Sequence, residues 1–358
     1  MLKNKPETTQ EQTEQVQLLR SFKEANQLAS FLETDMVKLP LQYLPSQYRC
    51  FKIPKPNGKF RLIEAPHTAL KATQRCINTL LQSLYNQYIP ECSYGFIYNL
   101  PTLRKKEKRH IVSHAKQHRN AKYMINIDLK DFFHQISVEK INKTLREGPY
   151  YLQPEIASLI SKICCLNSRL PMGAPTSPVL SNICLLNLDE QLTTWANKNN
   201  ILYTRFADDL TFSSSKKINT SSFIFIQETL SQQSLNINPS KFKQFNHNDK
   251  KEVTGLCIGK KVTISKKFKL EVIKDIDYFK DLNTHRYHYQ TLYADENEKR
   301  TSVLKFARQA IEGKLNFISF VMGKHNKVYV HLKEKYRTAK KMNGGISAHG
   351  YHLIQSAK

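Results

Sequence analysis

Helical and strand periodicities alternate along this chain, and their order predicts most of its elements. Residues 1 to about 15 hold Gln, Glu and Thr without periodic apolar positions, which predicts a disordered start. From Val16, "VQLLRSFKEANQLASFL" places Leu18, Leu19, Phe22, Ala25 and Leu28 at helical spacing. "YRCFKIPKPNGKFRLIEAP" then alternates around a central Pro-Asn-Gly, the pattern of a β-hairpin, here bearing Lys52, Lys55, Lys59 and Arg61. "ALKATQRCINTLLQSLYNQY" reads as an amphipathic helix with Lys71 and Arg75 on its exposed face. "KYMINIDLKDFFHQI" reads as a buried strand entering a turn, followed by helical stretches over about 138–165 and 178–198. "ILYTRFADDLTFSS" is expected to be a strand, "SSFIFIQETLSQQSL" a helix, and "VTGLCIG" with "KVTISKK" a final hairpin. From 267 onward the pattern is mainly helical and Lys-rich, and the last twenty or so residues are expected to form a loose tail. No internal repeat is present.

Composition narrows the function. In 358 residues, 40% are hydrophobic, enough for a sizeable core divided among two or three domains. The formal net charge is +25 and the sequence pI about 9.7, which points to a polyanionic partner, nucleic acid first among them. "RKKEKRH", residues 104–110, is expected to be a loop that faces phosphate. The seven cysteines are odd in number and contain no CxxC, so reduced thiols in a cytoplasmic protein are expected, without a zinc ribbon. The polar N-terminus does not read as a signal peptide, and no apolar run approaches membrane-span length.

Two stretches carry candidate chemistry. In "YTRFADDLTF", Asp208 and Asp209 sit between apolar flanks; in "NIDLKDFF", Asp128 also follows an apolar strand, 80 residues earlier. If the two strands are neighbours, their acids share one site. Clustered carboxylates repel and require a cation, and hard oxygen ligands suit Mg²⁺. A pair of such ions about 4 Å apart would clamp the attacking and leaving oxygens of a phosphoryl transfer. In that arrangement Asp128 and Asp208 hold metal, and Asp209 is an auxiliary ligand or orients the turn. Taken alone, "ADD" could equally be a hairpin turn with solvated acids.

The order of motifs adds a family. "FADD" resembles the catalytic aromatic-x-Asp-Asp signature of polymerase palms, and "NIDLKDFF" the metal-binding motif before it. "LPMGAPTSPVLSN" (170–182) resembles a template- and nucleotide-positioning motif, "NPSKFKQF" a lysine motif, and "TGLCIG" a primer-gripping hairpin. Together, over roughly 50–330, these resemble a reverse transcriptase of the bacterial retron type. The resemblance implies an α+β right hand: fingers, a palm with an antiparallel sheet, and a helical thumb. It divides the chain into an N-terminal helical extension (1–50), fingers (51–125), palm with interleaved fingers helices (126–265), thumb (266–335) and a basic tail (336–358). It implies two Mg²⁺ ions, with Mn²⁺ as a substitute, on Asp128, Asp208 and Asp209. Phe133, five residues beyond Asp128, would lie under the incoming sugar and select deoxyribonucleotides. Lys55 and Arg61 would meet the triphosphate, and Lys241 would protonate the leaving pyrophosphate. Met172 stands where the family usually has Gln, replacing hydrogen bonds to the nucleotide with apolar contact, while Gly173 is kept.

Three features point to the retron type. "SHAKQH" resembles an Asn-Ala-x-x-His motif, with His114 in place of Asn and His118 in the final position. "VTG", Val253, Thr254 and Gly255, resembles a triplet linked to recognition of the retron's own RNA. The sequence also stops soon after the thumb. Lys299, Arg300, Lys305 and Arg308 near "AIEGKLNFISFVMGK" are expected to face an RNA stem. The implied partners are a structured noncoding RNA, its DNA product, deoxynucleoside triphosphates and a separate effector protein in phage defence. Synthesis would start from a guanosine 2′-OH and give a branched product. Open alternatives are a diversity-generating or group II intron-like enzyme, or an inactive RNA-binding polymerase fold.

Overall fold

The computed structural model describes residues 10–33, 45–55, 58–97, 108–284 and 294–341, with the side chains of 284 and 294–301 outside that description. Two compact units divide at Thr254 and Gly255. In the first unit, α1 (Gln10–Ser21) and α2 (Ala25–Phe31) replace the single N-terminal helix expected from periodicity. The break lies at Glu24, which forms a reciprocal capping box with Gln27 and so starts a new helix. Helix α1 begins at Gln10, inside the stretch expected to be disordered. Val16 and Leu19 supply its buried stripe.

Strands β1 (Tyr48–Pro54) and β2 (Phe60–Pro66) pair antiparallel as predicted, with Ile53 opposite Arg61. Helix α3 (Thr68–Asn86) buries Leu70, Ile77, Leu80, Leu81 and Leu84, the i, i+3, i+4, i+7 positions of its sequence. Burial of each such leucine contributes roughly 1.5–3 kcal/mol, the main term that fixes this helix in place. A short helix α4 (Ile111–Gln117) follows. His110 caps it, its Nδ1 accepting from the Ser113 amide at 3.1 Å.

The palm sheet has the order β4-β5-β3-β6, all antiparallel: β3 is Tyr123–Asp128, β4 Leu202–Phe206, β5 Asp209–Ser214 and β6 Lys243–Phe245. Side chains alternate, so the sheet has two chemically different faces. Tyr203, Arg205, Leu210, Phe212, Ile125 and Ile127 share one face. Thr204, Phe206, Asp209, Thr211, Ser213, Asp128 and Asn126 share the other. Helices α5 (Val138–Arg146), α6 (Pro154–Cys164), α7 (Ser177–Cys184), α8 (Leu186–Lys198) and α9 (Thr220–Gln232) complete one continuous core. Strand β7 (Lys251–Val253) lies near the end of this unit.

The second unit opens with β8 (Leu256–Ile258), where Cys257 and Thr263 exchange two backbone hydrogen bonds of 2.9 Å. Helices α10 (Lys266–Thr284), α11 (Ala294–Met322) and α12 (Lys327–Lys341) follow. Val272, Ile276 and Phe279 of α10, Ile311, Leu315 and Ile318 of α11, and Leu332 and Tyr336 of α12 are among their buried positions. Lys314 bridges Glu271 and Asp275 at their surface. No helix among the described residues is long and apolar enough to cross a membrane. Of the basic tail expected at 336–358, residues 336–341 are instead the last turns of α12, with Tyr336 and Ala339 buried against the helices, and those beyond 341, like residues 1–9, lie outside the description.

Candidate active site

The segment "ILYTRFADDLTFSS" is a hairpin, not a continuous strand: β4 ends at Phe206 and β5 begins at Asp209. Ala207 turns the chain with φ +57, a conformation costly for a residue with a Cβ. Two neighbours enforce it. Gly95 lies so close that a Cβ there would come 2.4 Å from the Ala207 amide nitrogen. Arg205 donates to the Ala207 carbonyl at 3.1 Å. Asp208 therefore projects from a braced turn.

Register brings the acids together. Asp128 at the end of β3 is the cross-strand partner of Asp209, and the Leu129 amide donates to the Asp208 carbonyl at 3.1 Å. Burial, then the Asp128 charge, raises the Asp208 carboxyl above its ordinary value. Burial and the charges of Asp208 and Asp128 push Asp209 up to about 7. Lys241 answers part of this charge, its Nζ 2.6 Å from Asp128 Oδ2. Asn238 donates to the other oxygen of Asp128 at 3.0 Å. Burial alone would lower the Lys241 pKa, but the Asp128 hydrogen bond and the nearby acids raise it, so the ammonium stays protonated.

Among the described residues, no three acidic, His or Cys side chains converge in a ready-made metal cage. The donor set still suits a hard divalent cation: oxygen ligands on adjacent strands, with Asp208 and Asp209 raised in pKa by burial and then by neighbouring acids, and with Lys241 already tethered to Asp128 as a counter-charge. Asp128, Asp208 and Asp209 are the residues that could hold one.

The nucleotide-pocket expectations fall around this cluster. Arg61 is exposed on β2, and its charge reaches Asp208. Lys55 is half-buried at the hairpin end, while Pro56 and Asn57 lie outside the described residues. Phe132 is buried; Phe133 is half-buried and stacks on Phe96 with ring centroids 5.9 Å apart. Met172 is half-buried, and Gly173 takes φ +145 where a Cβ would meet the Glu64 carbonyl oxygen at 2.7 Å. Lys71 is half-buried and Arg75 exposed on α3.

Several nucleic-acid expectations need correction. His114 and His118 are 0% and 1% exposed, so their rings are closed to an RNA. Both Nε2 atoms meet the Thr204 hydroxyl, at 2.7 and 2.6 Å, and His118 Nδ1 meets the Ser213 hydroxyl at 2.7 Å. Burial lowers both pKa values to about 3, so the pair is neutral at physiological pH and braces the sheet's polar face. Val253 is fully buried and likewise unavailable; Thr254 is half-buried, and Gly255, with φ +77, is exposed. Arg109 of the basic run turns inward onto the carbonyls of Glu91 and Ser93 and the Tyr94 ring, whereas 104–107 lie outside the described residues. Lys305 is exposed, and exposed Arg308 pairs with Glu312 at 3.1 Å. The side chains of Lys299 and Arg300 lie outside the description.

Sequence reasoning missed two buried charge clusters. Arg205 and Asp189 are each 0% exposed and joined by bonds of 2.9 and 2.6 Å, with Tyr203 and Asn182 completing the set. Glu64 is 2% exposed and gathers Arg169, His134 and the Met172 amide. The available signal was phase for Arg205, which shares the strand face of the apolar Tyr203; Glu64 shares its face with Phe60 and Leu62, which are themselves exposed, so local pattern did not mark it.

The family described as Reverse transcriptase (RNA-dependent DNA polymerase) matches residues 53–265, which include every one of these acids. The Retron Ec86 reverse transcriptase of Escherichia coli is 30% identical over 237 residues, 64% of this chain and 69% of that protein. The Retron Ec83 reverse transcriptase of Escherichia coli is 29% identical over 180 residues, 48% of this chain and 54% of that protein. A solved structure of telomerase from Candida albicans, with a fragment of telomeric RNA, overlays with a TM-score of 0.43 at 12% identity. That overlay covers 86% of this chain and 62% of the other. With the family match spanning β3, the palm hairpin, the three acids these strands bring together and Lys241, the chain belongs to the reverse transcriptases, and within them to the retron type.

Proposed function

We propose that this chain is the RNA-directed DNA polymerase of a retron, copying part of a structured noncoding RNA encoded beside it into single-stranded DNA. Synthesis starts from a guanosine 2′-OH of that RNA, so the product is a branched RNA–DNA molecule. A role in phage defence, with a separate effector protein, belongs to the same reading. The observation that carries the polymerase reading is the pairing of Asp128 with Asp209 beside the braced Asp208 turn, with Lys241 on Asp128. Residues 51–125, 126–265 and 266–335 would serve as fingers, palm and thumb.

In this reading Asp128 and Asp208 hold two Mg²⁺ ions, with Asp209 beside them; the ions would supply Lewis-acid charge at the phosphoryl group. Lys241, kept protonated by the acids around it, would give a proton to the leaving pyrophosphate. Arg61 and Lys55 offer cations to the triphosphate. Phe133 fills the space that a ribose 2′-OH would need.

The test is to purify the protein with its bound nucleic acid, sequence that material and assay primer extension with Mg²⁺. A short folded RNA covalently joined to DNA supports the retron reading. Only unbranched, heterogeneous RNA would sink it in favour of another bacterial reverse transcriptase. No extension by the wild type would favour an inactive RNA-binding fold.

A further inference from the structure

Glu64 occupies an apolar phase of β2 yet is almost fully buried, and its surroundings explain why an acid is kept there. Arg169 clamps the carboxylate with both arms of its guanidinium, Nη1 to Oε2 at 3.0 Å and Nη2 to Oε1 at 2.8 Å. His134 Nε2 lies 3.0 Å from Oε2. The Met172 amide donates to the same oxygen at 3.2 Å, and the Glu64 amide donates back to the Met172 carbonyl at 2.8 Å. Burial would raise the Glu64 pKa, but the Arg169 hydrogen bonds and charge outweigh it and hold the group below its ordinary value.

These partners come from separate segments that meet at one carboxylate. Glu64 lies three residues after Arg61 on the fingers hairpin. His134 directly follows Phe133. Arg169 and Met172 flank the Leu170-Pro171 step, and the Leu170 amide bonds the Ile136 carbonyl at 3.0 Å. Gly173 leaves room for this seam, because any Cβ there would strike the Glu64 backbone.

We propose that Glu64 is a positioning residue for the incoming nucleotide: one carboxylate fixes the triphosphate wall, the sugar wall and the Met172 backbone relative to one another. The inference rests on the polymerase reading. It also accounts for Met172: the backbone at that position is held from beneath, so the pocket keeps its shape without a side chain that hydrogen-bonds the nucleotide. A merely structural ion pair would affect how much protein is folded. A positioning residue affects how well the folded protein holds its substrate.

The experiment uses the full chain with its bound RNA and compares Glu64→Gln and Arg169→Lys with wild type, alongside Asp208→Asn as the inactive control. Glutamine keeps the shape of Glu64 and loses its charge; lysine keeps the charge of Arg169 and loses the two-armed geometry. Primer extension is measured against dNTP concentration, together with the deoxy-to-ribonucleotide incorporation ratio and melting temperature. Each variant should raise KM for dNTP about tenfold, as expected for one lost charge-assisted hydrogen bond, with kcat within about threefold. The incorporation ratio should fall in both. If KM and the ratio stay within about twofold of wild type while melting temperature or kcat drops, Glu64 is structural and the proposal is overturned. Absence of extension by the wild type would instead overturn the polymerase reading on which this one rests.

Discussion

The two faces of the palm sheet each hold acids beside a cation, and they treat them in opposite ways. On the apolar face, Asp189 is matched by the bidentate Arg205 and the Tyr203 hydroxyl, with no exposure to water. On the polar side, only Asp128 has a direct ion-pair partner, Lys241, and Asp208 and Asp209 are raised in pKa by burial and by the charges of neighbouring acids despite the cations nearby. The difference separates a charge set that completes itself from one left open for something to bind. Burial alone does not mark function; incomplete compensation does.

Substitutions on the two faces should therefore diverge. The largest expected effect is on the open face: Asp208→Asn should reduce primer extension by about a thousandfold or more, at least about 4 kcal/mol in the barrier. Its melting temperature should stay close to wild type, and normal extension would refute the catalytic assignment. On the closed face, Asp189→Ala strands the Arg205 charge and should cost about 3–5 kcal/mol in a urea titration, with activity lost only as the fold is lost. A cost near zero would show that the pair is not the brace its geometry indicates.

A subtler contrast involves pH. His114 and His118 have folded pKa values of about 3 against an ordinary 6.5. Between those values the unfolded chain takes up protons that the folded one refuses. Stability should thus be full above about pH 6.5 and fall as the pH drops toward 3. His118→Gln should flatten this acid limb when melting temperature is followed from pH 7.5 to 5; an unchanged slope would place the sensitivity elsewhere. The smallest effect is expected from Asp209→Asn. Its acid is destabilised while charged, so the substitution should raise stability above pH 7 by about 0.2–1 kcal/mol. The gain should be smaller at pH 5, where the folded acid is protonated while the unfolded one is still charged. The same gain at both pH values would contradict the repulsion.

Local pattern revealed what local pattern controls. The fingers hairpin, α3 and the acids ending apolar strands were legible because period and turn chemistry lie in adjacent residues. The palm hairpin was read as one strand because Ala207-Asp208 carries no Gly, Pro or Asn signal. Its turn is imposed by Gly95 and Arg205 from outside. The burial of His114 and His118, expected to contact RNA, was not legible because the hydroxyls that satisfy them, on Thr204 and Ser213, lie 86–95 residues away. Glu64 escaped for the same reason, its partners being 70 to 108 residues distant.

The Lys241–Asp128 pair gives the resting site a counter-ion on a leash. A free cation leaves when its bulk concentration falls, but a side chain anchored beside its partner keeps a high effective concentration at any dilution. The acid cluster thus never meets its full self-repulsion, and its architecture does not depend on a captured ion to stay assembled. Chelation should silence such a polymerase without dismantling it, and returning the ion should restore synthesis without a refolding step.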